Sequence, residues 1–177
     1  FDYEDKEKIE INDDSKFDNT ADNDNSLIDL NNVFTNKCYK ILIKKDYFLK
    51  KPLIVYHTTN KKIKSKNVNL RLEFQLEQNS SLRLIDLFSD SAEKNFINIF
   101  YNFDLKKDAI LKNYKIDKIQ NKNIKYSFNN IEQDANSVSE TFILSSGSNF
   151  LKNEINCNLK GKYSSAFVNG IFSLKND

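Results

Sequence analysis

Glycine and proline are nearly missing from this chain, with 3 Gly and 1 Pro in 177 residues. The Asn-Gly and Asp-Gly turns that close two-residue β-hairpins are therefore scarce. Strands must be joined by corners built from Asn, Asp, Lys and Ser, of which Asn and Asp tolerate a left-handed backbone. Cysteine is also scarce, and the 2 present make neither a disulfide framework nor a CxxC metal site. Cys38 and Cys157 are expected to be reduced thiols in a cytoplasmic protein. No apolar run approaches the roughly 18 residues of a membrane span, and no basic-then-apolar signal opens the chain. Charge of one sign is lacking too: 27 basic residues face 25 acidic ones, a net charge of +2. Such a balance supplies no field for nucleic acid or a membrane surface. Its richness in Lys and Asn fits drift in an AT-rich genome better than a binding signal.

What remains is polar, with 39% hydrophobic residues, yet aromatic, with 14 Phe and 8 Tyr that call for a packed core. The length suits one domain. Beginning at Phe1 rather than Met, the chain is expected to be an internal piece of a longer protein. Phe1 to Ile11 alternates weakly and could hold a short strand. Asn12 to Ser26 is polar and acidic and reads as a solvated loop. Its carboxylates lack the central Gly and terminal Glu of a calcium-binding hand. Ser26, with Asp29 three residues on, is the expected cap of a helix over about 27–35, carrying Leu27, Leu30 and Phe34. A β-like segment Tyr39–Ile43, a turn, and a strand Leu53–Tyr56 after Pro52 follow. Lys61, Lys62, Lys64 and Lys66 read as a solvated loop, since a phosphate-binding patch would need aromatic or Arg partners.

From residue 70 the chain repeats. An aliphatic residue, a polar stretch, a small or aromatic residue and a return to apolar recur after Leu76, Leu105, Ile131 and Leu159. The spacings are 29, 26 and 28 residues. Each unit is preceded by period-two alternation: Leu70, Leu72, Phe74 and Leu76; Ile97, Ile99, Tyr101, Phe103 and Leu105; Ile124, Tyr126 and Phe128; Ile155, Cys157 and Leu159. Units this short hold two or three strands but no crossover helix. Stacked about 4.8 Å apart they bury their inward rows on one another. An all-β parallel solenoid results, with the four leading residues in one inward column. A β-sandwich is the rival, and the shortage of turn residues counts against it.

Several motifs then occur in a recognisable order: Leu30-Asn31-Asn32-Val33-Phe34, Lys51-Pro52-Leu53-Ile54-Val55-Tyr56-His57, and Asn153 through Gly161 with Ala166 and Asn169-Gly170-Ile171-Phe172. Together they resemble the SufB/SufD family. Lys152 stands where the family prefers Arg, and Asn36-Lys37 where it often has Asp-Gly. The resemblance implies a right-handed parallel β-helix over 51–177, incomplete at its C-terminus, after an entry segment 1–50 with an acidic loop and short helix. It implies a non-enzymatic scaffold subunit for iron–sulfur cluster assembly. It also implies a SufB-like partner met through the β-helix, and a SufC-like ATPase docked on a C-terminal region outside this chain. The lack of cysteine-rich segments favours SufD over SufB. No cluster ligand or ATPase-docking residue carries over, and no cofactor is expected on this segment.

Candidate chemistry is thin. His57 has no nucleophile motif beside it and reads as structural. Cys157 alternates with Ile155 and Leu159, so it points inward as a small hydrophobe. Cys38 follows a helix and could be partly exposed. Glu132, Asp134 and Glu140 lie on or beside corners and read as solvated. No Gly-rich phosphate loop is present, so no ATP binding is expected. A carbohydrate-acting β-helix enzyme is one alternative, but it needs clustered carboxylates or a base with Arg, and only Arg71 and Arg83 are available. A purely structural solenoid is the other.

Overall fold

The computed structural model describes residues 7–14, 25–58, 66–89, 94–118, 123–147 and 150–173. One helix, α1 (Ser26–Phe34), accompanies eleven strands. These are β1 (Ile9–Asp14), β2 (Cys38–Ile43), β3 (Leu53–Thr58), β4 (Asn67–Leu76), β5 (Ser81–Ser89), β6 (Phe96–Leu105), β7 (Ile110–Lys118), β8 (Ile124–Gln133), β9 (Val138–Ser146), β10 (Phe150–Leu159) and β11 (Ser165–Ser173). Even-numbered strands β2 to β10 stack as one parallel sheet, with β1 added antiparallel at its edge. The odd-numbered strands β3 to β11 stack as a second parallel sheet. Each coil takes one strand from each sheet, so the chain is a β-solenoid and not a sandwich. The parallel stack already begins at β2, so the expected boundary at residue 51 falls inside the first coil.

The corners from even- to odd-numbered strands turn without a left-handed glycine, which is used only at Gly147 among the described residues. Asp46, Asn79, Asp108, Asn136 and Tyr163 all adopt positive φ, between 55° and 62°. Asx residues hold four of these five places, because their short polar side chains tolerate that conformation. The four Asx corner amides bond to the next coil, as Asn79 N donates to Lys107 O at 3.0 Å and Asp108 N to Ala135 O at 3.0 Å. The side chains continue the ladder. Asn79 Nδ2 donates to Asp46 Oδ1 at 2.8 Å, and Asn136 Nδ2 to Asp108 Oδ1 at 2.9 Å.

The register corrects one expected column. Leu76, Leu105 and Leu159 are stacked, but Gln133, not Ile131, takes the fourth place. Ile131 lies two residues earlier, between Phe103 and Cys157. Fully buried Gln133 is accommodated because its Nε2 donates to Ser165 O at 2.9 Å and its Oε1 accepts from Ser139 Oγ at 2.8 Å. A second correction concerns β8. Ile124, Tyr126 and Phe128 align with Phe96, Asn98 and Phe100, on the outside of the coil. They do not share the inward row of Ile97, Ile99, Tyr101, Phe103 and Leu105.

Helix α1 is the reason an apolar row can face outward. Ile28 packs on Phe100, Tyr126 and Phe128 in a cluster separate from the main core. Asn31 Nδ2 donates to Leu70 O and Asn98 O at 3.1 and 3.0 Å, and Asn98 Nδ2 returns a 2.7 Å bond to Leu27 O. Arg71 lies 4.4 Å over the Phe100 ring and bonds to Asn32 Oδ1 and Glu73 Oε1. The N-cap is Asn25, one residue before the expected Ser26; its Oδ1 accepts from Leu27 N at 3.0 Å. The short strand expected over 1–11 is β1, and Asn12–Asp14 of the expected loop belong to it. Asp13 and Asp14 bond to Lys37 and Lys40. The rest of the acidic stretch, 15–24, and Lys61, Lys62 and Lys64 lie outside the described residues.

Candidate functional site

Between the sheets the interior changes character along the coil axis. In the early coils it is apolar, as where Phe74 stacks on Phe103 with 4.9 Å between ring centroids. On β7 and on the first half of β8 polar side chains take the inward positions. Strand β7 turns Asn113, Lys115 and Asp117 inward, and β8 turns Lys125, Ser127 and Asn129 inward. Charges can occupy such positions only when paired, since an unpaired buried charge costs several kcal/mol or more. Parallel register supplies the pairing. Val55, Asp86, Lys115 and Ile143 form one column, and His57, Phe88, Asp117 and Ser145 the next.

Two linked groups result. In the first, Lys115 Nζ lies 2.9 Å from Asp86 Oδ2, donates to Asn129 Oδ1 at 3.2 Å, and sits 3.7 Å over the Tyr101 ring. His57 Nε2 lies 2.8 Å from Asp86 Oδ1 and 3.1 Å from the Tyr101 hydroxyl. In the second group Lys125 pairs with Asp117 and lies 4.4 Å over the Phe88 ring. Asp117 Oδ2 also accepts from Ser145 Oγ at 3.2 Å and Asn153 Nδ2 at 3.3 Å. The four charged side chains, two of each sign, are at most 3% exposed.

The electrostatics follow from this closure. Burial alone would raise the Asp86 carboxyl, but Lys115, His57 and Lys125 outweigh it and hold it well below the usual carboxylate range. Asp117 is lowered likewise, burial being overcome by Lys125 and Lys115. Burial lowers Lys115 more than Asp86 raises it. Burial and the Asp86 charge push the Tyr101 phenol well above its ordinary value, so it stays protonated. Neither carboxylate is tuned toward neutrality as a general acid or base would be. The array can fix charge inside the coil. Beside it, among the described residues, the Asn113 amide and the Thr141 hydroxyl find no hydrogen-bond partner.

The residues singled out from the sequence are placed as follows. His57 is inside, against Asp86 and Tyr101, companions that its sequence neighbours did not reveal. Their signal was the alternating polar row of β7, Asn113, Lys115 and Asp117, whose inward phase the local pattern does not mark. Cys157 is half-buried against the main core, and burial pushes its thiol up. Cys38, expected to be partly exposed, is fully buried beneath α1's side of the sheet. Burial, with Glu73 adding to it, pushes its thiol up to about 12. Glu132 pairs with Lys160 on the outside of one sheet and Glu140 with Lys112 on the outside of the other, so they do not converge. Arg71 is buried under α1, while Arg83 is exposed on the opposite sheet. Among the described residues no His, Cys, Asp and Glu group of three or more could hold a metal, and no helix is long and apolar enough to cross a membrane.

Residues 57–177 match the model of a family described as SUF system FeS cluster assembly, SufBD core domain. No curated protein matches the sequence.

Proposed function

Since the chain belongs to the SufB/SufD family by its SufBD core domain, we propose that it is a non-catalytic scaffold subunit of a SUF-type iron–sulfur cluster assembly complex. The core-domain match over residues 57–177 carries this reading. The state of the reactive groups supports it: both thiols are pushed up by burial, and the interior carboxylates are held in ion pairs. A buried thiol with a raised pKa is a poor nucleophile and a poor ligand. Iron and sulfide are then cargo handled by the assembled complex, which works in the cytoplasm. Its partners are a SufB-like subunit engaged through the β-helix and a SufC-like ATPase engaged elsewhere. The chain itself is of the SufD type, as the shortage of cysteine favours. The test is cluster assembly by the full-length protein with its two partners, read by cluster absorbance after supply of iron and sulfide. Omitting the protein should abolish assembly, while a Cys38→Ser, Cys157→Val variant should assemble clusters at the wild-type yield. A folded double variant that yields none, or substrate turnover by the isolated chain that a point substitution removes, overturns the reading.

A further inference from the structure

The two sheets treat their outer faces differently. On the sheet of even-numbered strands, outward Phe100, Tyr126 and Phe128 lie under α1, and only the margin residues Ile124 and Phe150 stay exposed. On the other sheet, outward residues form two adjacent apolar columns: Ile85, Tyr114 and Phe142 in one, Leu87, Ile116 and Leu144 in the next. Tyr114, Phe142 and Leu144 are each more than a third exposed. The columns continue onto the first coil at Ile54 and Tyr56, which are 56% and 60% exposed. A contiguous exposed apolar stripe of this kind marks an interaction surface.

Its shape selects the partner. Columns two residues apart stand about 7 Å from each other, and five coils span about 20 Å along the axis. That is the footprint of one α-helix of about 14 residues lying across the strands, with apolar residues at i, i+3, i+4 and i+7. On the central strands it is too narrow for the face of a second sheet, because both margins there are polar; only Phe167 on β11 widens it. Arg83 and Lys112 flank it on one side and Lys118 on the other. The one acidic residue at these margins of the central strands, Glu140, is spent on Lys112 at 3.1 Å. The margins are therefore net basic. At the edge of the stripe, a surface pocket lined by Tyr114, Phe142 and Phe167, with Glu140, Thr141 and Asn169 at its rim, offers an anchor for one large apolar side chain. The same chain already shows the arrangement on its other sheet, where α1 crosses the strands with Ile28 inserted among outward aromatics.

We infer that the outer face of the odd-numbered sheet docks an amphipathic helix of another protein whose polar flanks carry Asp and Glu. This holds whether or not the cluster-assembly reading does, since it rests on the shape and charge of this face.

The experiment uses the full-length protein and two fluorescein-labelled 16-residue helical peptides. Both carry Leu at i, i+3, i+4 and i+7 spacing, one with Glu and one with Lys on the flanks. Anisotropy should show the Glu-flanked peptide binding at least tenfold more tightly than the Lys-flanked one, less so in high salt. Leu144→Ser, an exposed change that leaves the circular dichroism unaltered, should weaken binding about tenfold, and Lys118→Glu should shrink the preference for Glu flanks. Equal binding of the two peptides, no binding, or indifference to Leu144→Ser overturns the inference. So does a dimer in sedimentation that Leu144→Asp dissolves, because a second copy then covers the face. Failure of maleimide to label Phe142→Cys in the native full-length protein also overturns it, because the face is then already covered within the protein.

Discussion

Replacing Asp86 by alanine removes the carboxylate that sits 2.9 Å from Lys115 Nζ and 2.8 Å from His57 Nε2. Lys115, 1% exposed, would keep Asn129 Oδ1, the face of Tyr101 and the charge of Asp117, which is already paired with Lys125. Breaking a buried pair from one side costs about 3–5 kcal/mol, because the remaining charge stays desolvated. With a urea slope near 2 kcal/mol per molar, the unfolding midpoint should fall by about 1.5–2.5 M. Removing both partners is different. Asp86→Leu with Lys115→Met replaces the pair by apolar groups of similar size and should return stability to within about 1 kcal/mol of wild type. Acid gives an independent readout. The folded Asp86 carboxyl lies far below its unfolded value near 3.9. Its contribution is therefore fully present above that value and is lost as pH falls below it, at up to about 1.4 kcal/mol per pH unit. Asp86→Ala should show a correspondingly shallower decline below about pH 4. Urea titrations of the full-length protein at pH 7 and at steps down to pH 2.5 measure both effects. If Asp86→Ala does not fold, the double variant carries the test. A loss under about 1 kcal/mol in Asp86→Ala, or a double variant worse than the sum of its single changes, refutes the paired-interior account.

Cys157→Val keeps an apolar group against the core, so stability should move by less than about 1.5 kcal/mol and cluster yield in the complex should hold; a folded variant with collapsed yield would make the thiol chemical. Gly161→Ala would place a Cβ 1.9 Å from the backbone nitrogen of Ala135 in the coil below. It should cost at least about 2 kcal/mol, seen as a melting temperature lower by roughly 4–8 °C, and an unchanged melting curve would contradict the tight stacking at that corner. At Asn136, whose φ is 58°, glycine should be accepted within about 1 kcal/mol. Valine there should cost about 1–2 kcal/mol more, and equal midpoints in urea for the two would show that the left-handed corner is not what holds the register.

The solenoid itself was legible, because stacking identical coils demands a fixed period and alternating rows, and both stand in the primary sequence. The corners were legible in part: with glycine so scarce, Asx residues were the main candidates for left-handed backbone, and four of the five corners from even- to odd-numbered strands use them, while the return corners use Lys94 and Gly147. The inward phase of Cys157 also followed from its apolar neighbours. Which side of the wall an alternating row faces was a different matter. In β8 the apolar row Ile124, Tyr126 and Phe128 is outside and the row with Lys125, Ser127 and Asn129 is inside. Period two defines two rows but not which one meets the core. That was settled by α1, far earlier in the chain, covering the outer row, and by Asp117, from the neighbouring coil, pairing with Lys125 inside. The same holds for Gln133, whose buried place depends on Ser139 and Ser165 across the corner. Local pattern is a property of consecutive residues and is written in the sequence. The partner that makes a buried charge tolerable comes from a coil away, so only the tertiary structure could decide that a lysine belongs in the core.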